Sequence, residues 1–114
     1  MEYTYRIYEK IYNDILSGKK TIEFRLLNEK SHKIKVGNKI KFLIANNEEK
    51  YIITEVLDKY IYENIDELWD SKELLPYTLS YTKEEFCNAF YNIFGKENVD
   101  STKIVGFKIK IIKY

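Results

Sequence analysis

The sequence predicts an α+β fold in which about five to six strands enclose a core and two to three helices cover its openings. Three observations predict it. Strand-like alternation and helix-like stripes are interleaved along the chain. The strand-like segments are rich in Ile, Val and Tyr and carry one apolar face each. Two capping boxes in the second half of the chain mark the starts of helices. At 114 residues the expectation is one domain, residues 1–114, with a single core.

Tyr3, Tyr5 and Ile7 alternate with Thr4 and Arg6, which predicts a short opening strand. Tyr8, Ile11, Tyr12, Ile15 and Leu16 then recur at helical spacing as one apolar stripe. Gly18 ends that helix as a left-handed C-cap residue. Alternation returns over about residues 20–26, so that Thr21, Glu23 and Arg25 share one strand face and Ile22 and Phe24 the other. Residues 28–33 are polar and read as a loop, and Val36-Gly37-Asn38 reads as a turn. Ile40, Phe42 and Ile44 alternate with Lys39, Lys41 and Leu43, a strand with one buried face.

Residues 46–49 have turn character, and residues 51–62 form a β-rich run that reads as one long bent strand. Asn64 and Glu67 make a capping box that opens a short helix through Trp69, with Pro76 in the linker behind it. Thr82 and Glu85 make the second box. It opens a helix with the stripe Phe86, Phe90, Ile93 and Phe94, which stops at Gly95. The last strand, Ile104–Lys113, sets Val105, Phe107, Ile109 and Ile111 on one face and Lys108 and Lys110 on the other.

Composition narrows the function. One cysteine, Cys87, rules out an intramolecular disulfide and a cysteine-based zinc site, and with His32 the only histidine no metal site is expected. Nor is any cofactor expected. The start of the chain lacks the basic-then-apolar run of a signal peptide, and no stretch approaches the roughly 20 apolar residues that span a bilayer. The expectation is a cytoplasmic protein with no membrane partner, monomeric by default. Net charge is +1, but residues 1–43 hold ten Lys/Arg against five Asp/Glu, residues 44–102 five against thirteen, and residues 103–114 four against none. If the two basic ends meet, one side of the fold is positive and suits a nucleic acid. Lys30, His32, Lys33, Lys35, Lys39 and Lys41 are the densest positive segment, open to two readings, a solvated loop or a phosphate-contacting rim. Eleven tyrosines supply rings for packing and for base stacking alike.

The segment Gly18-Lys19-Lys20-Thr21-Ile22-Glu23-Phe24-Arg25 carries the most specific signal. On periodicity alone Glu23 and Arg25 read as an exposed same-strand ion pair of small energetic value. The string, however, is similar to Gly-x-Lys-x-x-Glu-x-Arg, the signature of the ASCH domain family, with Gly18, Lys20, Glu23 and Arg25 at its fixed positions. The resemblance extends over essentially the whole chain: a strand and helix before the signature, the turn at Gly37, and a helix before the final strand. Asn38 stands where the family commonly has Asp. The resemblance implies a PUA-like barrel and an RNA- or nucleotide-binding cleft.

In that reading Lys20, at the mouth of the site, neutralises a phosphate, Arg25 contacts phosphate or a base edge, and Glu23 orients Arg25 or accepts from a base amino group, with Lys19 and Thr21 as further binding residues. One bacterial branch of the family hydrolyses N4-acetylcytidine with a lysine that matches Lys20, a threonine and a glutamate. Here Glu23 stands at the threonine position, and the acids nearest the later glutamate are Glu73 and Glu84. The alternative is therefore a metal-independent amidohydrolase in which Lys20 and Glu23 are catalytic. A ribonuclease using the same pair with Arg25 is the third reading. Sequence leaves the roles of Tyr60 and Tyr62 open between cleft and packing.

Overall fold

The structure is a computed structural model that describes the backbone of residues 1–114 and every side chain except those of Pro76 and Tyr77. Five strands form one sheet in the order β1-β3-β4-β5-β2: β1 is Glu2–Ile7, β2 Ile22–Leu26, β3 Lys39–Ile44, β4 Asn47–Tyr62 and β5 Ile104–Lys113. The helices are α1 (Glu9–Leu16), α2 (Glu29–Lys33), α3 (Ile65–Trp69), α4 (Leu75–Thr78), α5 (Lys83–Phe94) and α6 (Lys96–Ser101), with a 3₁₀ turn at Lys72–Leu74. The chain divides into two compact units, through both of which β2, β4 and β5 run.

The first unit comprises Met1–Glu23, Lys33–Lys59 and Phe107–Tyr114. Strand β1 pairs in parallel with β3, Tyr3 with Ile40, Tyr5 with Phe42 and Ile7 with Ile44, so the apolar faces of the two strands coincide. Tyr5 and Phe42 stack with ring centroids 6.4 Å apart. Strand β4 continues antiparallel from β3, with an irregularity where Leu43 meets Tyr51 and Ile44 meets Asn47. Ile40, Phe42, Ile52 and Val56 are sealed from water, and Thr54 lies among them because its hydroxyl donates to the Ile40 carbonyl. Leu43, expected on the solvent side, is 7% exposed, so β3 has cover on both faces there. In α1 only Ile15 of the stripe is buried; Tyr8 and Leu16 are exposed.

The second unit comprises Phe24–His32 and Tyr60–Gly106. Its core joins Phe24 to Tyr62, rings 6.4 Å apart, and includes Leu68, Leu74, Phe90, Val99 and Ile104. A ladder of rings runs from Trp69 to Phe86, Phe90 and Phe94 at centroid spacings of 5.8, 5.7 and 4.8 Å. Ile93, assigned to that stripe from the sequence, is instead exposed. The polar segment read as a loop is α2. The Asn28 side chain accepts from the Ser31 N–H, and the Ser31 hydroxyl accepts from the Asn28 N–H and donates to the Leu26 carbonyl, so a short helix forms around one buried hydroxyl rather than an apolar stripe.

Behind α3, the segment read as a linker holds the 3₁₀ turn and the α4 backbone, and α6 follows Gly95 where no helix was expected. The expectation of two to three helices was thus too low: the extra segments are short and carry too little apolar pattern to register. Asn64 caps α3 as expected, but Glu67 reaches back to the Glu63 N–H. At α5 the box is complete, Thr82 accepting from the Glu85 N–H and Glu85 from the Thr82 N–H. Thr82→Ala is expected to lower stability by about 1 kcal/mol, read as a drop in the urea midpoint with an unchanged slope.

Candidate functional site

Residue Gly18 sets the geometry of the site. It takes φ +84, the left-handed conformation that glycine adopts without steric cost, and donates to the Ile15 carbonyl as the helix ends. The chain then folds back so that the Lys20 N–H donates to the Asp14 carbonyl at 3.0 Å. One residue on, the Thr21 carbonyl accepts from the Ile109 N–H at 2.9 Å. Lys20 is therefore held between the end of α1 and the sheet by the backbone on both sides of it.

Two hydrogen bonds bracket the β2–β5 ladder, Ile109 N–H to the Thr21 carbonyl and Leu27 N–H to the Lys103 carbonyl. Residue numbers rise along β2 as they fall along β5, so the pair is antiparallel, with Glu23 opposite Phe107 and Arg25 opposite Val105. Opposite residues share a face. Phe107 is sealed from water, and Glu23 is buried beside it. The strand itself starts at Ile22, two residues later than the sequence reading, and Ile22, Glu23 and Phe24 are all buried. Glu23 is thus not part of an exposed ion pair.

The structure brings Lys20 and Glu23 together. Nζ of Lys20 is 3.5 Å from Oε1 of Glu23, and the two side chains are 13% and 7% exposed. Arg25 is half-buried and belongs to the second unit, while Lys19 and Thr21 are exposed. His32 is exposed on α2; Lys33, Lys35 and Lys39 are exposed; and Lys41 lies 4.7 Å from the Tyr51 ring centroid in a cation–π contact.

In the second unit, Tyr62 is buried and donates to Oε1 of Glu73 at 2.6 Å. Burial, then that hydrogen bond, pushes the Tyr62 hydroxyl well above the usual tyrosine pKa, so it stays protonated and donating. Tyr60 is half-buried. Burial also raises the pKa of the half-buried Cys87 thiol on α5, which leaves it a packing residue with little thiolate character. Among the described residues no group of three or more His, Cys, Asp and Glu is placed to hold a metal ion, and no helix is long and apolar enough to cross a membrane.

Sequence reasoning missed Lys59 on β4. It is half-buried, Nζ donates to the carbonyl of the fully buried Ile34 at 2.7 Å, and it stands 5.8 Å from the Phe107 ring centroid. Burial, and next the charge of Lys35, lowers its pKa below the ordinary lysine value. In the sequence it was one lysine in a β-rich run. Nothing there linked it to Ile34 or Phe107.

The fold defines a class. No family model and no curated protein matches the chain. Solved structures do match. Hypothetical protein PH0355 superposes with a TM-score of 0.81 at 24% identity, covering 98% of this chain and 100% of that one. Protein PF0455 from Pyrococcus furiosus gives 0.74 at 23%, covering 100% of both. The ASCH domain from Lactobacillus crispatus gives 0.63 at 15%, covering 99% of this chain and 80% of that one. The chain therefore has the α+β fold of the ASCH domain structures, as the resemblance implied.

Proposed function

We propose that this chain acts as a single ASCH-type domain that binds RNA or a nucleotide in the cytoplasm, with Lys20 and Glu23 at the centre of the site. The buried Lys20–Glu23 pair carries this reading. Desolvating two charges costs about as much as their attraction returns, and apolar residues of similar size would stabilise a core as well or better. A pair kept under those conditions, in the segment that resembles the ASCH signature, is supported as a binding device. Lys20 would neutralise a phosphate, Glu23 would accept from a base amino group, and Arg25, with Lys19 and Thr21, would contact the backbone of the ligand.

A mobility-shift titration with single-stranded and structured RNA tests this reading. Affinity is expected to fall linearly in log K against log salt, with a slope set by the phosphates engaged. Lys20→Ala and Arg25→Ala, assayed where circular dichroism shows them folded, are expected to weaken binding and flatten that slope. Unchanged affinity in both variants removes the site from the account.

A second reading, metal-independent hydrolysis of N4-acetylcytidine, is favoured by one observation: an amine and a carboxylate lie 3.5 Å apart with little water around them. Such a pair can share acid and base duties. Release of cytidine from N4-acetylcytidine, lost in Glu23→Gln, would establish it. Shortening of the RNA in the shift assay would point instead to the ribonuclease.

A further inference from the structure

The two basic ends of the chain meet in the first unit. That unit holds thirteen Lys/Arg against eight Asp/Glu, and the second unit six against ten. Register shows which face of the sheet carries the excess. Tyr5 and Ile7 of β1 pair with Phe42 and Ile44 of β3 in the core, so Arg6, Lys41 and Leu43 belong to the opposite, outer face. Strand β4 adds Ile53 opposite Lys41 and Tyr51 opposite Leu43. On β5, the neighbour of β4, Phe107 and Ile109 are buried, and Lys108, Lys110 and Ile112, of the other parity, are exposed. Lys41, Tyr51 and Ile53 are half-buried, so this face is open to solvent. Several exposed lysines elsewhere are matched within the chain, Lys10 to Asp14, Lys83 to Asp66, Lys96 to Asp100 and Lys103 to Glu63. On the outer face Arg6 meets Glu48 at 3.2 Å, and Lys39 lies between Glu2 and Glu55 in register. Among the described residues, Lys41, Lys108 and Lys110 have no carboxylate at ion-pair distance, and the Lys41 ammonium stands over the Tyr51 ring instead.

We propose that the outer face of β3, β4 and β5 in the first unit binds single-stranded RNA, with Tyr51 as the stacking platform for a base and Lys41, Lys108 and Lys110 as phosphate contacts. Ammonium groups without acidic partners beside an accessible ring complement the two parts of a nucleic-acid strand, its phosphates and its bases. A cation–π contact at an exposed site is weaker than a base stacked on the same ring, so a base displaces Lys41 from Tyr51 and Lys41 turns to the phosphate beside it. Glu23, opposite the buried Phe107, lies on the other side of the sheet. The inference thus goes beyond the reading above: it shares the ligand class and not the site.

Fluorescence anisotropy of a labelled, mixed-sequence single-stranded RNA oligonucleotide, titrated with the full chain over a salt series, tests it. Lys108→Gln with Lys110→Gln is expected to flatten the slope of log K against log salt by about 1.4, two phosphate contacts at about 0.7 each. Lys108→Arg with Lys110→Arg, which keeps both charges, is expected to retain the slope. Tyr51→Leu is expected to weaken binding about tenfold at an unchanged slope, and Tyr51→Phe, which keeps the ring, to bind as the wild type does. Wild-type affinity and slope in both the double glutamine variant and Tyr51→Leu overturn the proposal. Heparin bound as tightly as RNA, with Tyr51→Leu without effect on either, also overturns it, since that describes a general polyanion surface. RNA binding that depends on Lys20 and Arg25 but not on these residues removes only this inference. Dependence on these residues but not on Lys20 and Arg25 supports the outer face and removes the other site, and no RNA binding at all removes both.

Discussion

Glu23→Gln is expected to destabilise the chain by about 3 kcal/mol or more, because it removes the charge that faces Lys20 in a poorly hydrated setting. The change is nearly isosteric, so cavity formation contributes little. With both side chains largely screened from water, the ammonium left behind is compensated less well by solvent than at the surface, where the same loss costs about 1 kcal/mol at most. Lys20→Met is expected to destabilise as well, by removing the ammonium 3.5 Å from the Glu23 carboxylate. The double variant, Lys20→Met with Glu23→Leu, is expected to recover most of the loss, since an apolar pair avoids the desolvation of both ions. It is also expected to lose ligand binding entirely. Urea midpoints for the three variants complete a double-mutant cycle. A Glu23→Gln midpoint equal to the wild type would show the pair to be hydrated and would undercut its use as a binding device.

The second large effect lies in the core of the first unit. Phe42→Ala is expected to cost about 3–5 kcal/mol, a third or more of the stability of a typical small domain. Phe42 is wholly buried on β3, stacked on Tyr5 of β1 and opposite Ile52 of β4, so its removal opens a void between three strands. Phe42→Leu, which refills most of the volume, is expected to cost clearly less. The measurement is again the urea midpoint, and near-equal losses for the two variants would mean that the strands close the gap.

Much of this structure was legible because the residues concerned report their own environment. Thr82 and Glu85 announce a helix by a local exchange of hydrogen bonds that needs no tertiary partner. Ile40, Phe42 and Ile44 alternate, and β3 follows. The helix α6 was not legible, since Val99 is its one buried residue and a single apolar position defines no period. The helix α2 was hidden because Ser31, not an apolar side chain, fills its inner position. At the site, parity along the strand gave the face of Glu23 correctly but not its burial. That depends on Phe107, a residue distant in sequence and brought opposite only by the ladder. Lys59 was missed for the same reason, its environment being made by Ile34 and Phe107.

The parallel pairing of β1 with β3 sets an order on how the chain acquires its structure. Glu2 meets Lys39, and Ile7 meets Ile44, so β1, made before β3, has no neighbour until roughly 35 further residues have been made. Through that interval the apolar side chains of Tyr3, Tyr5 and Ile7 wait without their strand partners, and α1 can form behind them only with what stability a two-turn helix has on its own. Closing that long loop before any contact repays it slows folding.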